Sequence, residues 1–334
     1  MRIFSGIQPT GTKHLGNYIG AIRQYVLGQE RGEGLYCIVD LHAITVAYDP
    51  TELRRSTYDL SALLLAAGLD PSRCILFRQG DVHEHTELCW LLSGVTELGR
   101  LQRMHQFRDK SVAQRELVSA GLLLYPVLQA ADVLAYRAHE VPVGEDQREH
   151  LELMRDVARR FNVRFGEGKE VLVVPEHRIP EVGARIMDLQ DPTRKMSTTS
   201  GSEQGTVYVL DEPAAILKKF KSAVTDSGRE IERSPEKPGV SNLIEILAVA
   251  RELMPEQVEA DMRDARGYGD LKVAVAEAVT DMLAPVRERY VELREDEPAL
   301  EAVLAGGAER AHAIAAETLA DVREYMGVGP LRTP

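Results

Sequence analysis

Two short segments far apart in the chain combine residue types that suit the binding of a polyphosphate. Residues 14–17, His-Leu-Gly-Asn, follow a predicted strand and a Pro/Gly turn and open a predicted helix. A helix N-terminus attracts phosphate, and Gly16 lets a ligand approach the backbone closely. Residues 195–199, Lys-Met-Ser-Thr-Thr, place one lysine among hydroxyls in a loop rich in Ser, Thr and Gly. Each segment taken alone also fits an ordinary capped helix or a solvated loop.

Residues 6–13, Gly-Ile-Gln-Pro-Thr-Gly-Thr-Lys, superficially resemble a phosphate-binding P-loop but do not match it. Lys13 follows Thr12 instead of preceding it, and Pro9 removes an N–H from the loop. In addition, no Gly-x-Gly-x-x-Gly follows a predicted strand. A dinucleotide-dependent dehydrogenase therefore loses its main support in the sequence.

A polar stripe is predicted on one face of a helix that includes residues 125–132. Pro126 fits the first turn of a helix, and Tyr125, Gln129 and Asp132 are then spaced i, i+4 and i+7. Because the rest of the segment is apolar, we expect Asp132 to be semi-buried, and a buried carboxylate must have a donor partner. The sequence leaves open whether that donor is an internal partner or the N–H of a ligand.

A fourth segment, residues 141–147, has the pattern of a strand that runs into the start of a helix. Gly144 permits close approach of a ligand to the backbone. Asp146 or Gln147 could hold ribose hydroxyls or an α-amino group. Acidic residues in a first helical turn also stabilise the helix dipole, so both roles stay open.

The elements that must position these groups alternate between short strands and helices over the first half of the chain. Residues 18–29 and 53–67 have helical periodicity, and buried strands are predicted at residues 3–4, 35–39, 74–77, 140–143 and 171–174. The alternation predicts right-handed βαβ units and a parallel sheet with helices on both faces. Ligands then bind at the carboxyl ends of the strands. Beyond about residue 202, helical segments prevail.

The composition is typical of a soluble globular protein of about two domains. The chain has 334 residues, of which 44% are hydrophobic and 28% charged, and its formal net charge is −12. The longest uncharged run, residues 117–131, is shorter than the ~20 residues of a membrane-spanning helix, and no secretory signal is recognisable. Three scattered cysteines support neither a disulfide framework nor a structural zinc site. We therefore expect a cytoplasmic protein with no membrane association.

Together these segments resemble the class I aminoacyl-tRNA synthetases, whose two signature motifs match residues 14–17 and 195–199 in the same order. Further agreement extends over residues 4–11, 37–42, 119–126, 141–147 and 221–226. With these seven ordered blocks the chain resembles the bacterial tryptophanyl-tRNA synthetases over essentially its whole length.

The resemblance implies an α/β protein with a Rossmann-like catalytic domain, residues 1–202, and a helical anticodon-binding domain, residues 203–334. The last helix could pack back on the catalytic domain. The implied reaction is the ATP-dependent activation of L-tryptophan to tryptophanyl-adenylate, followed by transfer to tRNA(Trp), with Mg²⁺ carried by ATP rather than by a protein metal site. The implied assembly is a homodimer, with one tRNA reaching across both subunits.

The family's functional residues can be placed on this chain one by one. Its nucleotide contacts fall on Gln8, Pro9, Thr10, His14, Gly16, Asn17, Gly144, Glu145, Asp146, Ile186, Lys195, Met196, Ser197, Thr198 and Thr199. Its tryptophan pocket falls on Asp132 for the indole N–H, on Tyr125 and Gln147 for the α-amino and carboxylate end, and on Phe4, Gly6, Val39, His42, Gln129, Val141 and Val143 for the lining. Catalytic roles fall on Asn17, Lys195, Ser197 and Lys110.

Two residues depart from the family's pattern. Asn17 stands where class I enzymes have a second histidine, and its amide can still donate to a phosphate oxygen. Thr198 stands where the family usually has a second lysine, which leaves one triphosphate contact to be supplied. Arg194 and Lys110 are the nearest candidates to supply it.

The sequence leaves two alternatives to this function. A tyrosyl-tRNA synthetase shares the fold and the signatures, although the Asp132 helix and residues 144–147 favour tryptophan. A non-catalytic paralogue that acts as an RNA-binding or regulatory module is the alternative from another class. Intact Lys195, Asn17 and Gln147 argue against it.

Overall fold

A parallel sheet forms the centre of the computed structural model, which describes residues 1–105, 119–142, 147–178, 185–198 and 201–330. Within these ranges five strands pair in the order β3-β2-β1-β4-β5. They are β1 (Arg2–Ile7), β2 (Glu33–Ile38), β3 (Cys74–Arg78), β4 (Glu140–Pro142) and β5 (Glu176–Arg178). Each neighbouring pair is parallel, so the carboxyl ends of the strands lie along one edge. Open sheets of this kind bind ligands at that edge.

The helices of the first half follow the strands as the alternation predicts. They are α1 (Leu15–Asn17), α2 (Arg23–Gly28), α3 (Asp40–Ala43), α4 (Pro50–Ala66), α5 (Glu84–Ser93), α6 (Leu98–Arg103), α7 (Ala120–Leu134) and α8 (Arg148–Phe165). A π-helical turn, Tyr18–Ile22, joins α1 to α2 without a break. The start of α4 is capped, since the Asp49 side chain accepts from the backbone N–H of Glu52 at 2.8 Å.

The second half of the described chain is mainly helical. Its helices are α9 (Pro213–Lys221), α10 (Pro238–Arg251), α11 (Pro255–Asp261), α12 (Tyr268–Arg294) and α13 (Glu297–Met326). One hydrophobic cluster joins α10 and α12 to α4 and the first helical segment. None of the described helices is long and apolar enough to cross a membrane. The prediction of an α/β protein with a helical C-terminal part is confirmed.

The last helix, α13, packs against the edge strand β3 and against α5. The approach to the strand is close, because a Cβ on Gly307 would lie 1.8 Å from the carbonyl oxygen of Leu76. Arg310 adds hydrogen bonds to the carbonyl oxygens of Pro71 at 2.8 Å and Cys74 at 3.0 Å. The edge of the sheet is therefore covered rather than left open to another strand.

Two local predictions are wrong. Residues 171–174 form no strand, because the Asn162 side chain takes their backbone hydrogen bonds: its Oδ1 accepts from Val171 N at 3.1 Å and Leu172 N at 2.9 Å. The strand follows at β5 instead. Pro126 lies inside α7 and not in its first turn, since the helix begins earlier, at the Ser119 cap. The spacing along α7 is unaffected, so the polar stripe stands.

Candidate functional site

The two signature segments meet at one cavity beside the carboxyl end of β1. The cavity has a volume of about 530 Å³. Its lining comes from the turn after β1, from the start of the first helix and from the loop that precedes α9: Ile7, Gln8, Thr10, Thr12, Lys13, His14, Asn17, Arg194, Lys195, Met196, Ser197 and Thr198. Three cations and several hydroxyls thus face a single space, as a polyphosphate site requires.

Backbone pairing brings the distant segments together. Leu15 N donates to Val207 O at 2.7 Å, and Val209 N donates to Lys13 O at 3.0 Å. The loop that carries Lys195 also pairs with the chain before it, since Met196 N donates to Ile186 O at 3.0 Å. The loop that carries Lys195 is therefore fastened to the chain beside the first helix by main-chain hydrogen bonds.

His14 and Asn17 cap each other at the start of α1. His14 Nδ1 accepts from Asn17 N at 3.3 Å, and Asn17 Oδ1 accepts from His14 N at 3.1 Å. The Asn17 oxygen accepts from His14, and the amide also carries two N–H donors on a residue that lines the cavity. The side chain is thus arranged to donate to an anion in the cavity.

His14 is held neutral at physiological pH. Burial, and then the charges of Lys195 and Lys13, lower its pKa to about 4. Since Nδ1 accepts a hydrogen bond, the ring proton lies on Nε2, where it can be donated. The same burial lowers the pKa of Lys13 to about 8.

Lys13 shapes the turn that follows β1. Its Nζ donates to the carbonyl oxygens of Gln8 at 2.8 Å and Thr10 at 2.7 Å. Gly11 in this turn has φ +63°, a conformation that favours glycine. In the sequence Lys13 served only to exclude a P-loop, and this role was not apparent because its partners are backbone carbonyls of its own turn.

Those other predicted nucleotide contacts that the structure describes lie close to this cavity. Pro9 lines a neighbouring cavity that shares Thr10, Thr12 and Lys13 with the first. Gly16 lies against Ile186, since a Cβ on Gly16 would be 3.6 Å from the Cβ of Ile186. Gly144, Glu145, Asp146, Thr199 and the catalytic candidate Lys110 lie outside the described residues.

Asp132 is the centre of a buried hydrogen-bond network at the ends of β2 and β3. The residue is 2% exposed. Its Oδ2 lies 2.7 Å from His42 Nε2, and its Oδ1 lies 2.6 Å from both His85 Nδ1 and Gln79 Nε2. Beyond it, His85 Nε2 lies 2.6 Å from the hydroxyl of Tyr136. Internal partners are therefore present at this carboxylate.

The carboxylate is ionised, and one of its acceptor positions has no donor among the described residues. Burial alone would raise the pKa of Asp132, but the charges and hydrogen bonds of His42 and His85 outweigh it and lower the pKa to about 2. Within the described residues three donors reach Asp132, whereas a carboxylate has about four acceptor positions. The fourth position is on Oδ2.

The sequence reasoning found His42 but missed Gln79 and His85. Gln79 directly follows β3 at the carboxyl edge of the sheet, and His85 lies in the first turn of α5. A position soon after a buried strand marks both residues as candidates, but it does not connect them with Asp132. Gln79 and His85 both come after β3 in the chain, so the spacing of residues along α7 could not reveal that they contact Asp132.

The remaining predicted pocket residues within the described ranges lie around this network. Tyr125 and Gln129 share the face of α7 with Asp132, and Gln129 Nε2 donates to Gln147 Oε1 at 3.3 Å. The Tyr125 hydroxyl lies 2.9 Å from Nε2 of His150, a partner that the sequence did not suggest. The apolar members Phe4, Val39 and Val141 are buried in one cluster, and a Cβ on Gly6 would lie 2.8 Å from Cγ1 of Val39. Val143 lies outside the described residues.

Comparisons with known proteins agree with this geometry. A family profile described as tRNA synthetases class I (W and Y) matches residues 1–284. Tryptophan–tRNA ligase 2 of Streptomyces avermitilis is 49% identical, and the match covers 99% of this chain and 98% of that protein.

Solved structures give the same result. Tryptophanyl-tRNA synthetase from Mycoplasma pneumoniae matches with a TM-score of 0.90 at 36% identity, over 98% of both chains. The enzyme from Campylobacter jejuni, complexed with ADP and tryptophan, matches with a TM-score of 0.80 at 34% identity, over 98% of this chain and 100% of that one. The resemblance seen in the sequence is confirmed, and the chain belongs to the tryptophanyl-tRNA synthetases, within the class I tRNA synthetases of tryptophan and tyrosine.

Proposed function

We propose that the chain activates L-tryptophan with ATP to tryptophanyl-adenylate and pyrophosphate, and then transfers the tryptophanyl group to tRNA(Trp) with release of AMP. The observation that carries this proposal is the meeting of residues 14–17 and 194–198 at one cationic cavity beside the end of β1. Membership of the family supports it, as does the Campylobacter jejuni relative with bound ADP and tryptophan.

The chemistry needs no nucleophile from the protein. The carboxylate of tryptophan attacks the α-phosphorus of ATP, and pyrophosphate leaves. The protein therefore positions the two substrates and stabilises the negative charge that develops on the phosphoryl oxygens. Lys195, Ser197 and the Asn17 amide are the groups we assign to that task, with the Nε2 proton of His14 beside them.

ATP enters as its Mg²⁺ complex. The described lining of the cavity contains Lys13, Arg194 and Lys195 and no carboxylate. This cationic lining fits the triphosphate itself. We therefore propose that the ion is carried in on the phosphate oxygens of the substrate, and the protein's part is to bind the phosphates around it.

Asp132 is proposed to select tryptophan. The indole N–H would donate to the fourth acceptor position, on Oδ2, while His42, His85 and Gln79 hold the carboxylate in place. A site built around a buried acceptor rejects analogues that lack the donor far better than an apolar pocket does. Tyr125 and Gln147 would bind the α-amino and carboxylate end, and the predicted apolar residues would line the ring.

The two proposed binding sites lie at the ends of adjacent strands. Val39 N donates to Ile7 O at 3.0 Å, so the segment that follows β2 and leads to His42 runs beside the end of β1. Ile7 and Gln8 already belong to the nucleotide cavity. This adjacency would bring the tryptophan carboxylate and the α-phosphate together.

We further propose that the chain divides into two domains at residue 202 and that residues 203–334 bind the anticodon.

We also propose that the protein is a homodimer in the cytoplasm. For the dimer, Trp90 on α5 and Leu98 on α6 are 76% and 58% exposed, so both offer apolar surface that a second copy of the chain could cover. Light scattering at several protein concentrations tests the dimer. A monomer at all concentrations would refute it.

Pyrophosphate exchange into ATP, run with each standard amino acid separately, tests the proposed activation. We expect exchange with tryptophan and little with tyrosine. Equal exchange with tyrosine would support the tyrosyl alternative. No exchange with any amino acid, from protein that still binds tRNA, would support the non-catalytic RNA-binding module.

A further inference from the structure

A second cluster, away from the nucleotide cavity, has the composition of a transition-metal site. His83 and Glu84 lie at the start of α5, and His312 lies on α13. One ligand atom from each lies within 4.8 Å of the other two. Glu84 Oε1 is 2.7 Å from His312 Nδ1 and 3.4 Å from His83 Nε2. A tetrahedral site with bonds of about 2.0–2.2 Å separates its ligand atoms by roughly 3.3 Å, so little movement would be needed.

The burial of Glu84 is the second observation that points to a cation. Its side chain is 2% exposed, and Oε2 has no hydrogen-bond partner among the described residues. A buried carboxylate oxygen without a partner is destabilising. The N-terminus of α5 offsets part of this effect through its dipole, and a cation bound at Oε1, the oxygen beside both histidines, would further offset the negative charge of the buried carboxylate.

The two histidines leave the cluster open to solvent. The side chain of His83 is 73% exposed and that of His312 is 51% exposed. An ion can therefore reach the buried carboxylate from the histidine side. The two imidazoles also decide which ion fits, since Ca²⁺ and Mg²⁺ prefer all-oxygen ligands, whereas zinc is commonly bound by histidine and carboxylate together.

We propose that His83, Glu84 and His312 bind one divalent transition-metal ion of zinc's class, with water as the fourth ligand. The ion would fasten the last helix to the start of α5. Other contacts hold α13 and α5 together without it, including the ion pair between Arg323 and Glu87. The ligands are thus already close, and metal binding does not have to drive the docking of the helix.

Cobalt binding to the full chain tests this site independently of the proposed enzymatic function. Protein treated with a chelator is titrated with Co²⁺ in the absence of ATP. The titration is done at pH 7.5 because histidine ligands must be neutral to bind a metal ion. We expect one equivalent to bind with the visible absorption of a four- or five-coordinate ion, Zn²⁺ to displace it, and the melting temperature to rise with Zn²⁺.

Histidine variants locate the site. His312→Gln and His83→Gln should each weaken Co²⁺ binding by at least ~10-fold, since even an outer-shell substitution commonly has that effect. His177→Gln, at an exposed histidine on β5, is the matched control and should bind as the unaltered chain does. Because both ligand histidines are exposed, these variants should fold, and circular dichroism checks this.

Two results would overturn the proposal. One is the absence of saturable one-to-one binding in the unaltered chain. The other is equal affinity in His83→Gln, His312→Gln and His177→Gln. Either result would leave the cluster as an ion pair between His312 and Glu84 only.

Discussion

His85 Nδ1 lies 2.6 Å from Asp132 Oδ1, and both side chains are almost completely buried. The pair joins the first turn of α5 to the last turn of α7, two parts of the chain with no obvious relation in sequence. Together with His42 and Gln79 it fixes a charged carboxylate at the carboxyl edge of the sheet. Asp132 is thus part of the fold as well as the proposed acceptor for tryptophan.

Asp132→Ala should lower the free energy of unfolding at pH 7 by about 3–5 kcal/mol, because His42, His85 and Gln79 would lose a buried partner. The pKa of Asp132 in the folded chain, about 2, is below its ordinary value of 3.8. The part of the stabilisation that depends on the ionised carboxylate is therefore fully present above the unfolded pKa and is lost as the pH falls from about 4 toward 2. Urea unfolding of the unaltered chain and of Asp132→Ala across this pH range measures the difference in free energy of unfolding.

The control for this effect is Asp156→Ala, at a partly exposed carboxylate that pairs with Arg100. Its cost should be about 0–1 kcal/mol. If Asp132→Ala were no more destabilising than Asp156→Ala, or equally destabilising at pH 7 and pH 2, the network would not have the strength assigned to it.

His14 should titrate far below an ordinary histidine. Its folded pKa of about 4 is lower than the unfolded value of about 6.5, so the unfolded state takes up the proton first. The free energy of unfolding should then fall by roughly 3 kcal/mol between pH 6.5 and pH 4, and His14→Gln should remove this part of the acid sensitivity. NMR of histidine-labelled protein, with the signal assigned through His14→Gln, gives the pKa. A midpoint near 6.5 would show that the ring is solvated.

Lys195→Ala should reduce kcat for adenylate formation by about 10²–10³ and change the KM for tryptophan only modestly, since the lysine would stabilise charge that develops in the transition state. Lys169→Ala, at an exposed lysine after α8, is the matched control. Steady-state exchange kinetics separate the two parameters. A large rise in KM at normal kcat would assign Lys195 to ground-state binding.

Thr198→Lys tests what replaces the second lysine of the signature. Thr198 Oγ1 would lie 3.4 Å from a Cβ on Gly11, and Arg194 lines the same cavity. Because the Arg194 side chain already supplies a positive charge at this cavity, we expect Thr198→Lys to change the single-turnover rate of adenylate formation little. Arg194→Ala or Lys110→Ala should slow it markedly. A Thr198→Lys enzyme that is up to ~10-fold faster, beside near-normal Arg194→Ala and Lys110→Ala enzymes, would rule compensation out.

Hydrophobic patterning along the chain was sufficient to predict the strands around the site and the polar face of α7. Strand prediction failed at residues 171–174 because the competing partner, Asn162, lies about nine residues earlier and acts through its side chain. An apolar run predicts burial, and Val171 and Leu172 are indeed buried. It does not specify which group takes the backbone hydrogen bonds.

The residues of the candidate site also differ in how far the sequence alone could predict them. Residues with a local signature, such as His14 and Lys195, could be predicted to meet at one site because their neighbours in sequence mark them, and both line the cavity beside β1. Gln79 and His85 could not be placed, since their role depends on the order of strands in the sheet and on a contact with Asp132 across about 50 residues of sequence. Lys13 acts through backbone carbonyls of its own turn, which no residue type marks.

The central claim is that this adenylate-forming site selects tryptophan through the indole N–H. It is tested most directly with an analogue that has sulfur in place of the indole N–H, compared with tryptophan in the exchange assay for the unaltered chain and for Asp132→Asn. The account predicts that the unaltered chain prefers tryptophan by about 10–100-fold in kcat/KM, as for one hydrogen bond to a buried charge, and that Asp132→Asn loses most of this preference. An equal preference in both proteins would contradict it.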